Sequence, residues 1–109
     1  MLFADNTFDA AYAFEATCYA PTLESVYSEV ARVLKPGAYW GTYEWMMTPL
    51  YDDKNPIHNE IRSRIEFSMG VVNITNRTNA IESIKKAGLE FVTDMDVGIP
   101  NYRNPIPWW

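Results

Sequence analysis

Two apolar runs separated by one amphipathic helix pattern constrain the fold most strongly. The runs are Phe8–Phe14 and residues 38–45, and each has the length and composition of a buried strand. Between them, apolar residues recur at helical spacing from Leu23 to Leu34. A strand, a helix and a second strand with short joints predict a parallel βαβ unit with a right-handed crossover.

Cap and turn residues predict where this helix begins and ends. Thr22 is the expected N-cap, and Lys35 is expected in the last turn, where a cation suits the helix dipole. Pro36 and Gly37 are then expected to stop the helix. Residues 46–56 are rich in Pro, Asp and Asn and are predicted to form a loop.

The second half of the chain predicts a mixture of helices and one further strand. Thr78 is the expected cap of the later helix, and Gly70 and Gly88 are the expected helix stops. The predicted order is helix 57–69, linker 71–77, helix 78–87, strand 89–97 and irregular tail 98–109. The sequence therefore predicts an α/β chain.

Charge and composition disfavour several classes of function. The formal net charge is −5, and the nine Lys and Arg are scattered, so we expect no nucleic-acid partner. Cys18 is the single cysteine and His58 the single histidine, which excludes an intrachain disulfide and disfavours a metal site. No apolar run approaches the roughly 18 residues that span a bilayer. The aromatic content of 15% fits either an aromatic core or an apolar ligand site.

Several motifs resemble those of a known enzyme family. Residues 5–9 (DNTFD) and 33–37 (VLKPG) resemble the second half of a class I S-adenosylmethionine-dependent methyltransferase. Residues 15–21 (EATCYAP), 43–48 (YEWMMT) and 106–108 (IPW) resemble signatures of sterol 24-C-methyltransferases. The resemblance covers essentially the whole chain, and the combination of motifs is more specific than any one of them.

The resemblance implies a fold, a reaction and a division of the chain. It implies the C-terminal half of a Rossmann-like class I methyltransferase sheet in residues 1–48, followed by a sterol-specific C-terminal region in residues 49–109. It implies methyl transfer from S-adenosylmethionine to C24 of a sterol, in the cytoplasm or at the endoplasmic reticulum. Two positions depart from the family pattern: Tyr19 stands where the family usually has His, and Ala38 where it usually has Gly.

The glycines of the chain do not form the loop that holds the methyl donor in this fold. The five glycines are at positions 37, 41, 70, 88 and 98, so no G-x-G motif occurs. We therefore expect a fragment that lacks the glycine-rich loop, and we expect self-association or pairing with a complete subunit. A catalytically inactive fragment that binds sterol or a partner, and a methyltransferase acting on another small apolar substrate, remain alternatives.

Alkene methylation by the implied enzyme creates a carbocation, which π faces and carboxylates stabilise and which a base then deprotonates. The resemblance makes Glu15, Glu44 and Tyr12 candidate catalytic residues. It makes Glu15 and Ala16 candidates for binding the methyl donor. The candidates for sterol contact lie in the same two stretches and are Cys18, Tyr19, Tyr43 and Trp45.

Each candidate also has an ordinary structural explanation. Glu15 fits equally a carboxylate that caps the next helix, and Glu44 fits either a ligand cleft or pairing with a cation. Tyr12 and Trp45 fit core packing, and Cys18 fits a small buried apolar residue. His58 is expected to be a solvated residue near a helix start rather than a general base.

Overall fold

The computed structural model describes residues 2–97, and the predicted tail 98–109 lies outside the described residues. A single 3₁₀ turn at Thr17–Tyr19 follows the first strand. The other elements, in chain order, are β1 (Phe8–Phe14), α1 (Leu23–Val33), β2 (Leu34–Tyr43), β3 (Met46–Met47), α2 (Pro56–Met69), β4 (Thr75–Asn76) and α3 (Arg77–Lys86).

Strands β1 and β2 pair in parallel with α1 between them in sequence, which confirms the predicted βαβ unit. The register pairs Tyr12 with Gly41 and Phe14 with Tyr43. On α1, Tyr27 is fully buried and meets the Trp40 ring edge-on at 6.2 Å. Because the strands are parallel, their carboxyl ends lie at one edge of the sheet, and residues 15–19 therefore lie beside residues 44–47.

The predicted start of α1 is confirmed, but its predicted end is wrong. The Thr22 hydroxyl accepts a hydrogen bond from Ser25 N–H at 3.3 Å. The helix ends at Val33, and β2 begins directly at Leu34. Pro36 disfavours helical backbone at Lys35, so Lys35 lies in the strand and not in a helical turn. Gly37, at φ 81°, lies where the β1–β2 register is interrupted.

Both later helices are present, and each begins one residue earlier than predicted. Helix α2 is capped by the Asn55 side chain, which accepts from Ile57 N–H at 2.9 Å, and it ends at Gly70 with left-handed backbone. Helix α3 is capped by Asn76, which accepts from Asn79 N–H at 2.8 Å, so the prediction that Thr78 is the cap is wrong. Asn76 is also an N-cap residue type, and Thr78 lies inside the first turn.

The predicted strand 89–97 is wrong, because no backbone within residues 2–97 pairs with it. Its contacts are instead with the start of α3. Arg77 Nε lies 2.6 Å from an Asp94 carboxylate oxygen, and the Arg77 guanidinium lies 5.9 Å from the Phe91 ring centre. The sequence also failed to predict β3 and β4, which pair in parallel over two residues each. Strands of two residues are too short to produce an alternating pattern.

Candidate functional site

The turn that follows β1 carries a carboxylate on strained backbone. Glu15 has a φ of 47°, in the left-handed region that residues with a Cβ seldom adopt. Its N–H donates to the Tyr43 carbonyl oxygen at 2.7 Å, which ties the turn to the end of β2. The side chain is exposed and has no hydrogen bond or ion pair among the described residues. Strained backbone of this kind clusters at functional sites, so Glu15 is kept as a candidate.

The carboxylate of Glu44 holds this same turn from the end of β2. Its Oε1 accepts from Thr17 N–H at 2.9 Å and from the Thr17 hydroxyl at 2.7 Å. It also accepts from Ala16 N–H at 3.3 Å and from the Thr42 hydroxyl at 3.1 Å. Its Oε2 is buried without a hydrogen-bond partner among the described residues. Within the described residues Glu44 pairs with no cation, and Ala16, a candidate for binding the methyl donor, already uses its N–H here.

Thr17 belongs to this site, and the sequence analysis did not identify it. It is the one polar residue of the described chain that is buried, with 4% of its surface exposed. Both of its donors, the N–H and the hydroxyl, bond to Glu44. A hydroxyl residue three positions after one parallel strand, with an acid directly after the next strand, was the available signal.

Cys18 is buried beside the turn, and its environment disfavours the thiolate. It is 4% exposed and forms a small apolar cluster with Val71 and Ile74. Its Sγ lies 3.5 Å from the Glu15 carbonyl oxygen, to which the thiol donates. Burial raises the pKa of the Cys18 thiol, and the negative charge of Glu44 raises it further. The thiol is therefore neutral at pH 7 and is a poor nucleophile.

The structure brings Tyr12 and Tyr43 together on one face of the β1–β2 sheet. Phe14 lies between them, with its ring centre 5.8 Å from that of Tyr12 and 6.2 Å from that of Tyr43. Tyr39 lies on the same face two pairs along the register, and all four rings are exposed. We call these four residues the aromatic face.

The aromatic face and the carboxylate of Glu44 lie on opposite sides of the sheet end. Side chains alternate along a strand, and Glu44 bonds to Thr42 on the side away from Tyr43. Trp45 and Tyr19, the other candidates for sterol contact, are each partly exposed near this edge. The structure thus separates the predicted residues into a carboxylate turn (residues 15–18 with Glu44) and the aromatic face, with Tyr19 and Trp45 in neither group.

A mostly apolar cavity of about 300 Å³ adjoins the carboxylate turn. It lies between β1 and α1, and its wall includes Ala13, Thr17, Val26, Val30 and Trp40. Such a lining accepts an apolar group and offers few polar contacts to it.

His58 has a structural role in the loop before α2. Its Nδ1 accepts from Asp52 N–H at 3.0 Å, which requires an unprotonated Nδ1, and its ring stacks on Tyr51 at 6.1 Å. The residue is half-buried rather than fully solvated. Within residues 2–97, no three His, Cys, Asp or Glu side chains are grouped to hold a metal ion. Over the same residues, no helix has the length and apolar character needed to cross a membrane.

Comparison with known proteins gives a family context for these two surfaces. Residues 1–40 match the family model of a methyltransferase domain. The chain is 49% identical over 106 residues to the methyltransferase phqN of Penicillium fellutanum, a match that covers 97% of this chain and 32% of phqN. It is 46% identical over 109 residues to the sterol 24-C-methyltransferase erg6 of Aspergillus fumigatus, covering all of this chain and 28% of erg6. It is also 46% identical over 111 residues to the botryococcene C-methyltransferase of Botryococcus braunii, again covering 28% of that protein.

The βαβ unit and the domain match make the first part of the chain similar to methyltransferases with a Rossmann-like α/β fold. More particularly, over its whole length it is similar to sterol 24-C-methyltransferases. The chain spans about 28–32% of the length of these curated relatives. No solved structure matches the chain.

Proposed function

We propose that this chain is part of a methyltransferase that transfers a methyl group from S-adenosylmethionine to C24 of a sterol side chain. The observation that carries the proposal is the 46% identity with a sterol 24-C-methyltransferase along the entire chain. We retain the proposed division into a core segment at 1–48 and a sterol-specific region at 49–109. Because sterols are membrane lipids, we place the enzyme in the cytoplasm or against the endoplasmic reticulum.

The aromatic face supports the proposal through its chemistry. Joining a methyl carbon to an alkene carbon leaves a positive charge on the neighbouring carbon, which π faces attract. Tyr12 and Tyr43 present two such faces, separated by Phe14, at the carboxyl-end half of the sheet. Ligands of open α/β sheets bind at those strand ends. We propose Tyr43, Trp45 and Tyr19 as sterol-contacting residues, and Tyr12 as a π face near the cation.

Glu15 is the better of the two acids for accepting the proton that the carbocation loses. An oxygen has two lone pairs, and Glu44 Oε1 already accepts four hydrogen bonds. The other oxygen of Glu44 is buried. Glu15 is exposed, and its carboxylate has both oxygens available. We therefore propose Glu15 as the carboxylate that faces the reaction, with Cys18 as a neutral part of the wall beneath it.

The described residues fit one part of S-adenosylmethionine. When bound, this group supplies an electrophilic methyl on a positively charged sulfur. The exposed carboxylate of Glu15 suits that cationic group by charge and by its lack of another partner. No G-x-G motif for close backbone approach occurs in the 109 residues. We therefore propose only Glu15 and the adjacent Ala16 as residues that contact the methyl donor.

A chimera tests the proposal. This chain would replace its matched segment in the Aspergillus fumigatus sterol 24-C-methyltransferase, and labelled methyl transfer to a sterol alkene would be measured. We expect the chimera to methylate the sterol. A folded chimera that binds S-adenosylmethionine but transfers no methyl to any sterol would refute the sterol assignment.

Two alternatives follow from specific observations. The match to the botryococcene C-methyltransferase, whose name specifies a substrate other than a sterol, favours a different small apolar substrate. Methylation of another apolar alkene by the chimera, with none on sterols, would support it. The lack of a G-x-G motif favours an inactive fragment. Calorimetric titration of the isolated chain with S-adenosylmethionine is expected to show no binding, whereas stoichiometric binding would count against an inactive fragment.

A further inference from the structure

The carboxylate turn is held by the last residue of β2 and by Glu44 directly after it, and the second of these restraints is a side chain. Glu15 N–H bonds to the backbone of Tyr43, whereas the next two N–H groups bond to Oε1 of Glu44. Thr17 adds its hydroxyl to the same oxygen at 2.7 Å, the shortest of the four bonds. Ala16 and Thr17, which lie 28 and 27 positions before Glu44 in the sequence, are thereby joined to a single oxygen of its carboxylate.

We propose that Thr17 and Glu44 are positioning residues, which together hold the turn of residues 15–18 in the shape that presents Glu15. Left-handed backbone at a residue with a Cβ persists only where its surroundings impose it. Without the carboxylate, the N–H of buried Thr17 would lack a partner, and the turn could relax toward ordinary backbone. The identity of the ligand that Glu15 faces rests on the proposed function, but the hold on the turn does not.

Cys18 provides a reporter for this hold. It is the only cysteine of the chain, so a maleimide or iodoacetamide probe reads one site. Its thiol bonds to the Glu15 carbonyl, and at 4% exposure it reacts only when the turn opens. The rate of alkylation of the 109-residue chain therefore measures how firmly the turn is held.

Two substitutions at Thr17 separate positioning from packing. Thr17→Val keeps the volume and removes the hydroxyl, whereas Thr17→Ser keeps the hydroxyl and removes a methyl group. Loss of a hydrogen bond to a charged group is expected to raise the alkylation rate roughly tenfold or more in Thr17→Val. Thr17→Ser is expected to stay within about threefold of the parent. Thr42→Val is the matched control, because Thr42 donates to the same Oε1 from outside the turn.

Glu44→Gln tests the other member of the pair. The neutral amide weakens the hold, and it removes the charge that helps to keep the Cys18 thiol protonated. We expect faster alkylation and a rate–pH profile displaced to lower pH. If Glu44 were only a spacer, the alkylation rate corrected for the thiolate fraction would equal that of the parent, since Gln has the same shape.

The proposal is overturned if Thr17→Val reacts like the parent while Thr17→Ser reacts faster, which is the result of a packing role. It is equally overturned if Thr42→Val accelerates the reaction as much as Thr17→Val. Thermal melting followed by circular dichroism checks that each variant is folded. If Thr17→Val is unfolded, the alkylation rate of Glu44→Gln is compared with that of Thr42→Val instead, and equal rates overturn the proposal. Because alkylation needs no ligand, a chimera inactive on sterols would refute the proposed function and leave this result unaffected.

Discussion

Glu15→Gly is expected to make the chain more stable, because it releases strain that the native residue imposes. A left-handed residue with a Cβ costs about 1–2 kcal/mol, and the extra freedom of unfolded glycine offsets about 0.5–1 kcal/mol of the gain. The net expectation is a stabilisation of about 0.5–1 kcal/mol, or roughly 2–6 °C in Tm for a chain of this size. The Glu15 side chain has no hydrogen bond or ion pair among the described residues, so its removal sacrifices no such contact.

Thermal melting followed by circular dichroism measures this effect, with Glu15→Ala as the control. Alanine removes the carboxylate but retains the strained backbone at φ 47°, so its stability should stay within about 0.5 kcal/mol of the parent. Glycine melting no higher than alanine would refute the claim that the backbone is strained. A loss of more than about 1 kcal/mol in Glu15→Ala would refute the claim that the carboxylate has no structural role.

Three further predictions concern other parts of the chain. Gly70→Ala should lower the free energy of unfolding by about 1 kcal/mol in urea titration, because Gly70 has a φ of 67° and open space around it. Gly41→Ala is the control: it has equal space and no positive φ, and it should not lower stability. Analytical ultracentrifugation should show self-association of the chain. Tyr39→Ser on the aromatic face should reduce it, whereas Phe67→Ser on the exposed side of α2 should leave it unchanged. Equal effects of the two substitutions would contradict an interface on the aromatic face. Stability should fall as pH rises above about 9, since the raised pKa of the Cys18 thiol lets the folded chain bind the proton more tightly than the unfolded chain. Cys18→Ala should flatten this slope in alkaline melting series, and an unchanged slope would exclude Cys18 as its source.

The parts of the fold predicted correctly are those with strong local signals. The two apolar runs and the capped helical pattern between them were sufficient to place a βαβ unit. The end of α1 was missed because Pro36 and Gly37 fit both a helix stop and an irregular strand start. The segment after Gly88 alternates like a strand but has no paired backbone within the described residues, and pairing depends on distant residues.

Both carboxylates of the candidate site were named as candidates from the sequence, but Thr17 and its hydrogen bonds to Glu44 were not. The motif around Glu15 and the acid after β2 identified both carboxylates. The residues next to each in sequence do not show that the Glu15 side chain has no hydrogen bond among the described residues, whereas Glu44 accepts four. That difference arises from Thr17, which lies 27 positions from Glu44 and contacts it only because the two strands are parallel. Both strands were predicted to be buried, and this is wrong for the aromatic face, whose four rings are exposed. A strand pattern does not reveal whether both faces of a sheet are covered.

The most direct test of the account compares the erg6 chimera with its Glu15→Gln variant in labelled methyl transfer to a sterol. The amide keeps the shape and the backbone strain and removes only the charge. We predict an active chimera whose kcat/KM falls by roughly 100-fold in Glu15→Gln, since a charge aimed at the reacting centre is lost. An active chimera in which Glu15→Gln equals the parent would contradict the central claim that the carboxylate turn faces the reaction.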